Sequence, residues 1–134
     1  MKLAHIKVDS AKAEAGDWVD KIPEMDDLRL KVRGAQCASA RTLRNQLIRA
    51  LPARVRTDPN GIPTERLDEI EAKVATEVIL LDWDNLDGVP YSKEKAAELL
   101  KDPDFIFFRE AVNWASNRVG RQDAAAHEAA AGNL

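Results

Sequence analysis

The stretch DLRLKVRG, residues 27–34, decides how the rest of the chain is read. Leu28, Leu30 and Val32 alternate with Arg29, Lys31 and Arg33. In an extended backbone the three apolar side chains share one face and the three cations the other, as in a strand lying on a core. Immediately downstream the period changes from two to 3.6. Ala40, Leu43, Leu47, Ala50 and Leu51 form one helical stripe, Ser39 is placed to cap it, and Pro52 closes it. The switch predicts an α+β fold, mainly α, with a small N-terminal β-hairpin or sheet followed by about four helices.

Working outward, LAHIKV at 3–8 alternates more weakly, with Ala4, Ile6 and Val8 opposite His5 and Lys7. It is expected to pair with 27–34 across an acidic connection, and residues 18–22 to add a third short strand. On the other side, TDPNGIP at 57–63 is a turn cluster. A second helix is expected from Thr64, whose hydroxyl can cap it, with Glu65, Asp68 and Glu69 at the positive end of its dipole. Its apolar stripe is Leu67, Ile70, Val74, Val78 and Leu81.

The segment DWDNLDGVPYS at 82–92 reads as the break after that helix, because Asn85, Asp87, Gly88 and Pro90 are turn formers. Ser92 is placed to cap a short helix over 93–102, and Asp102, followed by Pro103, to cap the last one. The last helix stops at Gly120, a residue suited to the left-handed C-terminal position. Residues 1–120 are expected to form one domain, extended over 1–34 and helical over 35–120. Residues 121–134 hold no large apolar side chain before Leu134 and are expected to be a disordered tail.

With 134 residues, 45% of them apolar and 32% charged, the chain has the composition of one soluble domain with its own core. No apolar run approaches the roughly 20 residues that span a bilayer, and the N-terminus has no hydrophobic signal core, so a cytoplasmic protein is expected. The single cysteine, Cys37, excludes an internal disulfide and reads as a small buried residue. The net charge of −3 conceals a segregation. Residues 28–57 carry eight basic side chains and no acidic one, while the other 12 basic against 23 acidic residues give −11 elsewhere. Such a division lets a chain pair its own halves or bind a polyanion with the basic part.

DWDNLDG at 82–88 has the look of a calcium loop, and its register decides against one. Counted from Asp82, Leu86 and Lys93 stand where the fifth and twelfth ligands are required, and Asp87 where the turn glycine belongs. His5 and His127 are not at ligand spacing with Cys37, and no phosphate loop or nucleophile motif is present. No catalytic residue, metal or cofactor is therefore expected, and no enzymatic activity.

Two surfaces remain. Arg29, Lys31, Arg33, Arg41, Arg44 and Arg49 are a candidate basic surface for nucleic acid, although the segment lacks interleaved aromatics and matches no helix-turn-helix, zinc finger or ribonucleoprotein signature. Intramolecular pairing with the acidic second helix is the other reading of the same charges. In the last helix, Phe105, Phe108, Val112, Ala115 and Val119 share one face, whereas Phe107 and Trp114 point roughly 100° to 160° from its centre. Phe107 and Trp114 are accordingly the candidate partner-binding residues.

The order of parts from Leu43 to Gly120, carried by ALPARV at 50–55, VILLDW at 78–83, NLDGVPYSKEKAAELLKDPDF at 85–105 and FFREAVNWASNRVG at 107–120, resembles the tail assembly chaperones of long-tailed bacteriophages and prophages. The resemblance covers about two thirds of the chain. It implies a long acidic helix joined by the WDNLDGVPYS segment to a helical pair, after a short extended region. It also implies a non-enzymatic protein of virion morphogenesis in the host cytoplasm, acting by protein–protein interaction on the tape-measure and tail tube proteins. A structural tail or neck component of the virion is the alternative within the same biology. The basic middle of this chain departs from the family pattern, which leaves the identity of the client open.

Overall fold

The computed structural model describes residues 1–121. The tail expected over 121–134, Arg121 apart, and His127 lie outside the described residues. In chain order the elements are α1 (Ser10–Ala15), β1 (Asp17–Val19), β2 (Arg29–Val32), α2 (Ala38–Arg49), α3 (Ala53–Arg56), α4 (Thr64–Val74), β3 (Leu80–Asp84), α5 (Lys93–Lys101) and α6 (Ile106–Ser116). The architecture is α+β and mainly α, with one small antiparallel sheet in the order β1-β2-β3.

Strand β2 is the central one, and the expected alternation holds there: Leu28, Leu30 and Val32 are buried while Arg29 is exposed. It pairs Lys31 with Trp18 of β1, and Leu30 with Trp83 of β3. A register shift between Lys31 and Val32 lets β3 bend away toward the helices. Across the ladder Arg29 stands opposite Asp84 at 3.9 Å and lies 4.9 Å over the Trp18 ring. The expected short strand near 18–22 is thus present, displaced to Asp17–Val19.

Two expectations for the sheet are corrected. Residues 3–8 are not a strand: Leu3–His5 form a single 3₁₀ turn, and only Val8 makes an isolated bridge, to Arg121. Leu3, Ile6 and Val8 remain exposed, so this weak alternation buries no face. Second, the helix expected to run through Leu81 ends at Val74, passes through a wider π turn, Ala75–Ile79, and becomes β3. The reason is the open edge of β2. A central strand needs hydrogen-bond partners along both edges, and Leu80–Asp84 supplies them on the edge of β2 that β1 leaves open. Extended structure is therefore not confined to residues 1–34.

Helix starts follow the same logic of available partners. Ser92 accepts from the Lys95 N–H at 3.1 Å and Asp102 from the Asp104 N–H at 2.9 Å, with Pro103 following, as expected. Ser39 and Thr64 do not cap. Cys37 and Pro63 hold the two cap positions without a side-chain bond, and at α2 the role passes to Glu14 of α1, whose carboxylate accepts from both the N–H and the hydroxyl of Ser39. Those bonds hold the Glu14 carboxyl below the usual glutamate range, the Ser39 hydroxyl contributing most.

The core lies between the sheet and the helices α4, α5 and α6. Its largest wholly enclosed side chains are Leu30, Val32, Val74, Leu80, Leu100 and Val112. Trp83 closes it at one end: its ring meets Tyr91 at 5.0 Å and Phe108 at 5.9 Å, both edge to face, and its indole N–H donates to the Val89 carbonyl at 2.8 Å. That bond pins the turn at 85–90, where Asn85, Asp87 and Gly88 all take positive φ, as their residue types permit. Helix α6 ends at Ser116 and not at Gly120, which takes φ +83 in the turn that follows; its carbonyl accepts from the Asp9 N–H at 2.7 Å, drawing the N-terminal segment onto that turn.

Candidate partner-binding face

Helix α6 has one side in the core and one side in solvent. Phe108, Val112 and Ala115 are buried, as the helical spacing predicts, and Val119 is buried in the turn beyond the helix end. Phe105 is not with them. It sits in the 3₁₀ turn Pro103–Phe105 that precedes α6, where the angular step differs from that of an α-helix, and it is 47% exposed. Ile106 is 44% and Phe107 65% exposed, so three consecutive large apolar side chains emerge at the start of α6.

The exposed ridge is flanked by two grooves. On one side a groove of about 400 Å³ is walled by Met25, Leu28, Leu86, Val89, Leu99 and Phe105. On the other a smaller one of about 190 Å³ lies between the loop at 22–25 and α6, bounded by Phe107 and Trp114. Phe107 borders both. The structure thus brings the two candidate residues to one surface, in different settings. Phe107 stands free on the ridge, whereas Trp114 is half-buried with the Arg118 guanidinium 3.8 Å over its ring. The sequence places Phe105 on the buried face and does not single out Ile106, and it misses the loop at 22–25 as a groove wall because that loop is distant in sequence from α6.

The rims of these grooves are acidic. Asp87 and Asp104 border the larger groove, Glu24 and Glu110 the smaller, and all four are exposed. Lys95 is the cation in the larger groove's lining, and its ammonium is paired with Glu98 at 3.3 Å. Among the described residues none of the four rim carboxylates takes part in an ion pair.

Of the six basic candidates, three are engaged within the fold. Arg33 is half-buried and donates to the carbonyls of Glu14, at 2.8 Å, and Val78, at 3.2 Å, tying α1 to the π turn. Arg44 grips Glu71 of α4 with two bonds, at 2.7 and 3.2 Å. Arg29 is engaged by Asp84 and Trp18 as described. Lys31, Arg41 and Arg49 remain, on β2 and α2, and Arg41 lies with Arg121 along a separate cleft of about 430 Å³ beside the start of α2. Cys37 lines the same cleft, and burial pushes its thiol pKa up.

Asp82 and Asp84, the first two carboxylates of DWDNLDG, each accept from the backbone N–H of the next residue. Among the described residues no group of three or more His, Cys, Asp or Glu side chains is placed to hold a metal ion, and no helix is long and apolar enough to cross a membrane.

Comparison with curated proteins and with solved structures finds no match to either. The family model for YdaY prophage protein matches residues 35–133, a span that takes in α2 through α6 and leaves β1 and β2 outside it. The chain belongs to the family of YdaY prophage proteins.

Proposed function

We propose that this prophage protein is a non-enzymatic tail assembly chaperone, which holds the tape-measure protein and recruits tail tube protein during tail morphogenesis in the host cytoplasm. The observation that carries the reading is the ridge of Phe105, Ile106 and Phe107 standing between two grooves, while Phe108 and Val112 of the same helix are buried and Trp114 is half-buried. Apolar surface concentrated in this way marks a protein-binding site. The resemblance of residues 43–120 to tail assembly chaperones supplies the class of partner. Nucleic-acid binding is less well supported, since Arg33 and Arg44 are engaged within the fold.

Co-expression with the tail tube and tape-measure proteins encoded beside it tests the reading. Copurification that weakens in Phe107→Ala is the expected result. Failure to copurify with either protein overturns it. So does tight duplex DNA binding at physiological salt that is lost when Arg41 and Arg49 are reversed to glutamate, which assigns the chain to nucleic acid instead.

A further inference from the structure

The shape of the face and the charge around it point in different directions, and together they define an occupant. The grooves on either side of Phe107 are apolar on their floors: Leu28, Leu86, Val89 and Leu99 on one side, Ile22 and Ala111 on the other. Their rims carry Glu24, Asp87, Asp104 and Glu110 with no cation among the described residues paired to them, and Lys95 in the larger groove is held by Glu98. A second copy presenting the same face would bring like charges together, because a two-fold contact opposes each patch to itself. An acidic partner would meet the same repulsion. A basic one gains at every rim position, and it keeps its charges at the wet edge, where they steer and select without being desolvated.

Resting on the reading of this face as the partner-binding site, we infer that it takes a cationic amphipathic segment: apolar side chains seated in the grooves on either side of Phe107, flanked by lysines or arginines that meet the four rim carboxylates. An amphipathic helix laid in a groove presents its anchors at intervals of three and four residues, which places side chains on both sides of a single ridge. Glu24 and Glu110 border one groove and Asp87 and Asp104 the other, so the flanking cations are required on both sides of the apolar anchors.

The test uses the full chain and two short fluorescent amphipathic peptides with identical apolar anchors, one flanked by lysines and the other by glutamates. Titration at low ionic strength is expected to show the lysine-flanked peptide binding at least about tenfold more tightly, with the difference shrinking at high salt. Phe107→Ala is expected to remove binding. A variant combining Glu24→Gln, Asp87→Asn, Asp104→Asn and Glu110→Gln is expected to keep binding and lose the preference; asparagine at 87 keeps the positive φ that the turn requires. Equal binding of both peptides, or of neither, overturns the inference, as does a Phe107-dependent dimer formed without peptide. Copurification of the tail proteins is scored separately. If it persists while the peptides fail to discriminate, the cationic assignment falls and the chaperone reading stands; if it is absent while the lysine-flanked peptide binds, the reverse holds.

Discussion

Leu30 of β2 and Trp83 of β3 stand directly opposite each other in the antiparallel ladder, both buried, and through them the N-terminal strands and the later helices share one core. Trp83 also carries the turn at 85–90 through its bond to Val89. Replacing it with phenylalanine keeps an aromatic ring and leaves the Val89 carbonyl without that donor, an expected loss of about 1–2 kcal/mol. Trp83→Ala also removes the contacts with Tyr91 and Phe108 and is expected to cost about 3–5 kcal/mol. Urea denaturation followed by far-ultraviolet circular dichroism measures both. Equal losses in the two variants would show that the hydrogen bond, and not the ring, holds this end of the core.

Neighbouring phenylalanines in α6 should behave in opposite ways. Phe108 is 7% exposed and Phe107 65%. Phe108→Ala is expected to lower stability by about 3–5 kcal/mol. Phe107→Ala should fall within about 0.5 kcal/mol of the parent while weakening partner capture by more than about 1 kcal/mol. Trp114→Ala should fall between them in stability, because its ring is half-buried beneath Arg118. Thermal denaturation run beside copurification separates the three; a Phe107→Ala protein that melts as early as Phe108→Ala places Phe107 in the core.

The arginines of the basic segment divide in the same manner. Arg33→Met keeps an apolar stem but leaves the Glu14 and Val78 carbonyls without their donor, for an expected loss of about 1–3 kcal/mol. Arg41→Met, at an exposed position, is expected to change stability by less than about 0.5 kcal/mol. Chemical denaturation of the pair decides, and equal effects would mean that Arg33 does no more than Arg41 for the fold.

Glu14 gives the fold a pH dependence of known sign. Its carboxyl is held below the usual range by the bonds from Ser39, so its stabilisation is fully present above the unfolded glutamate value of about 4.3. It is lost as the pH falls through the lower folded value. Glu14→Gln should therefore melt earlier than the parent at neutral pH, and its melting temperature should decline less steeply between about pH 5 and pH 3. Parallel curves for the two proteins across that window would show that Glu14 is not depressed in the native state.

At Gly120 an added methyl group would stand 2.9 Å from the Asp9 carbonyl oxygen and 3.0 Å from the Ala13 side chain, at a φ of +83 that alanine adopts reluctantly. Gly120→Ala is expected to detach the N-terminal segment from α6, read as faster hydrogen exchange at the Asp9 amide. Unchanged protection there would mean that the segment is held by other contacts.

Where a short-range pattern coincided with an available partner, the sequence was legible. The alternation of 27–34 located β2, the turn residues at 85–90 took the positive φ their chemistry allows, and Ser92 and Asp102 capped as placed, whereas α6 ended at Ser116, short of the expected stop at Gly120. These features depend on sterics and hydrogen bonds within a few residues, which amino-acid identity specifies directly. The weak alternation at 3–8 failed because nothing in the fold covers one of its faces.

What the sequence by itself determined was the class of each strong segment and the buried side of α6. Tertiary structure alone decided that 80–84 leaves the helix to complete the sheet, since β2 has an unpaired edge only once the chain has folded around it. It also decided that Glu14 caps a helix 25 residues away, that Arg33 and Arg44 are drawn into the fold, and that Phe107 becomes a ridge between grooves walled by residues 22–28 and 86–99. Each of these depends on a partner distant in sequence, and the periodicity of a single segment carries no record of which distant residue will stand beside it.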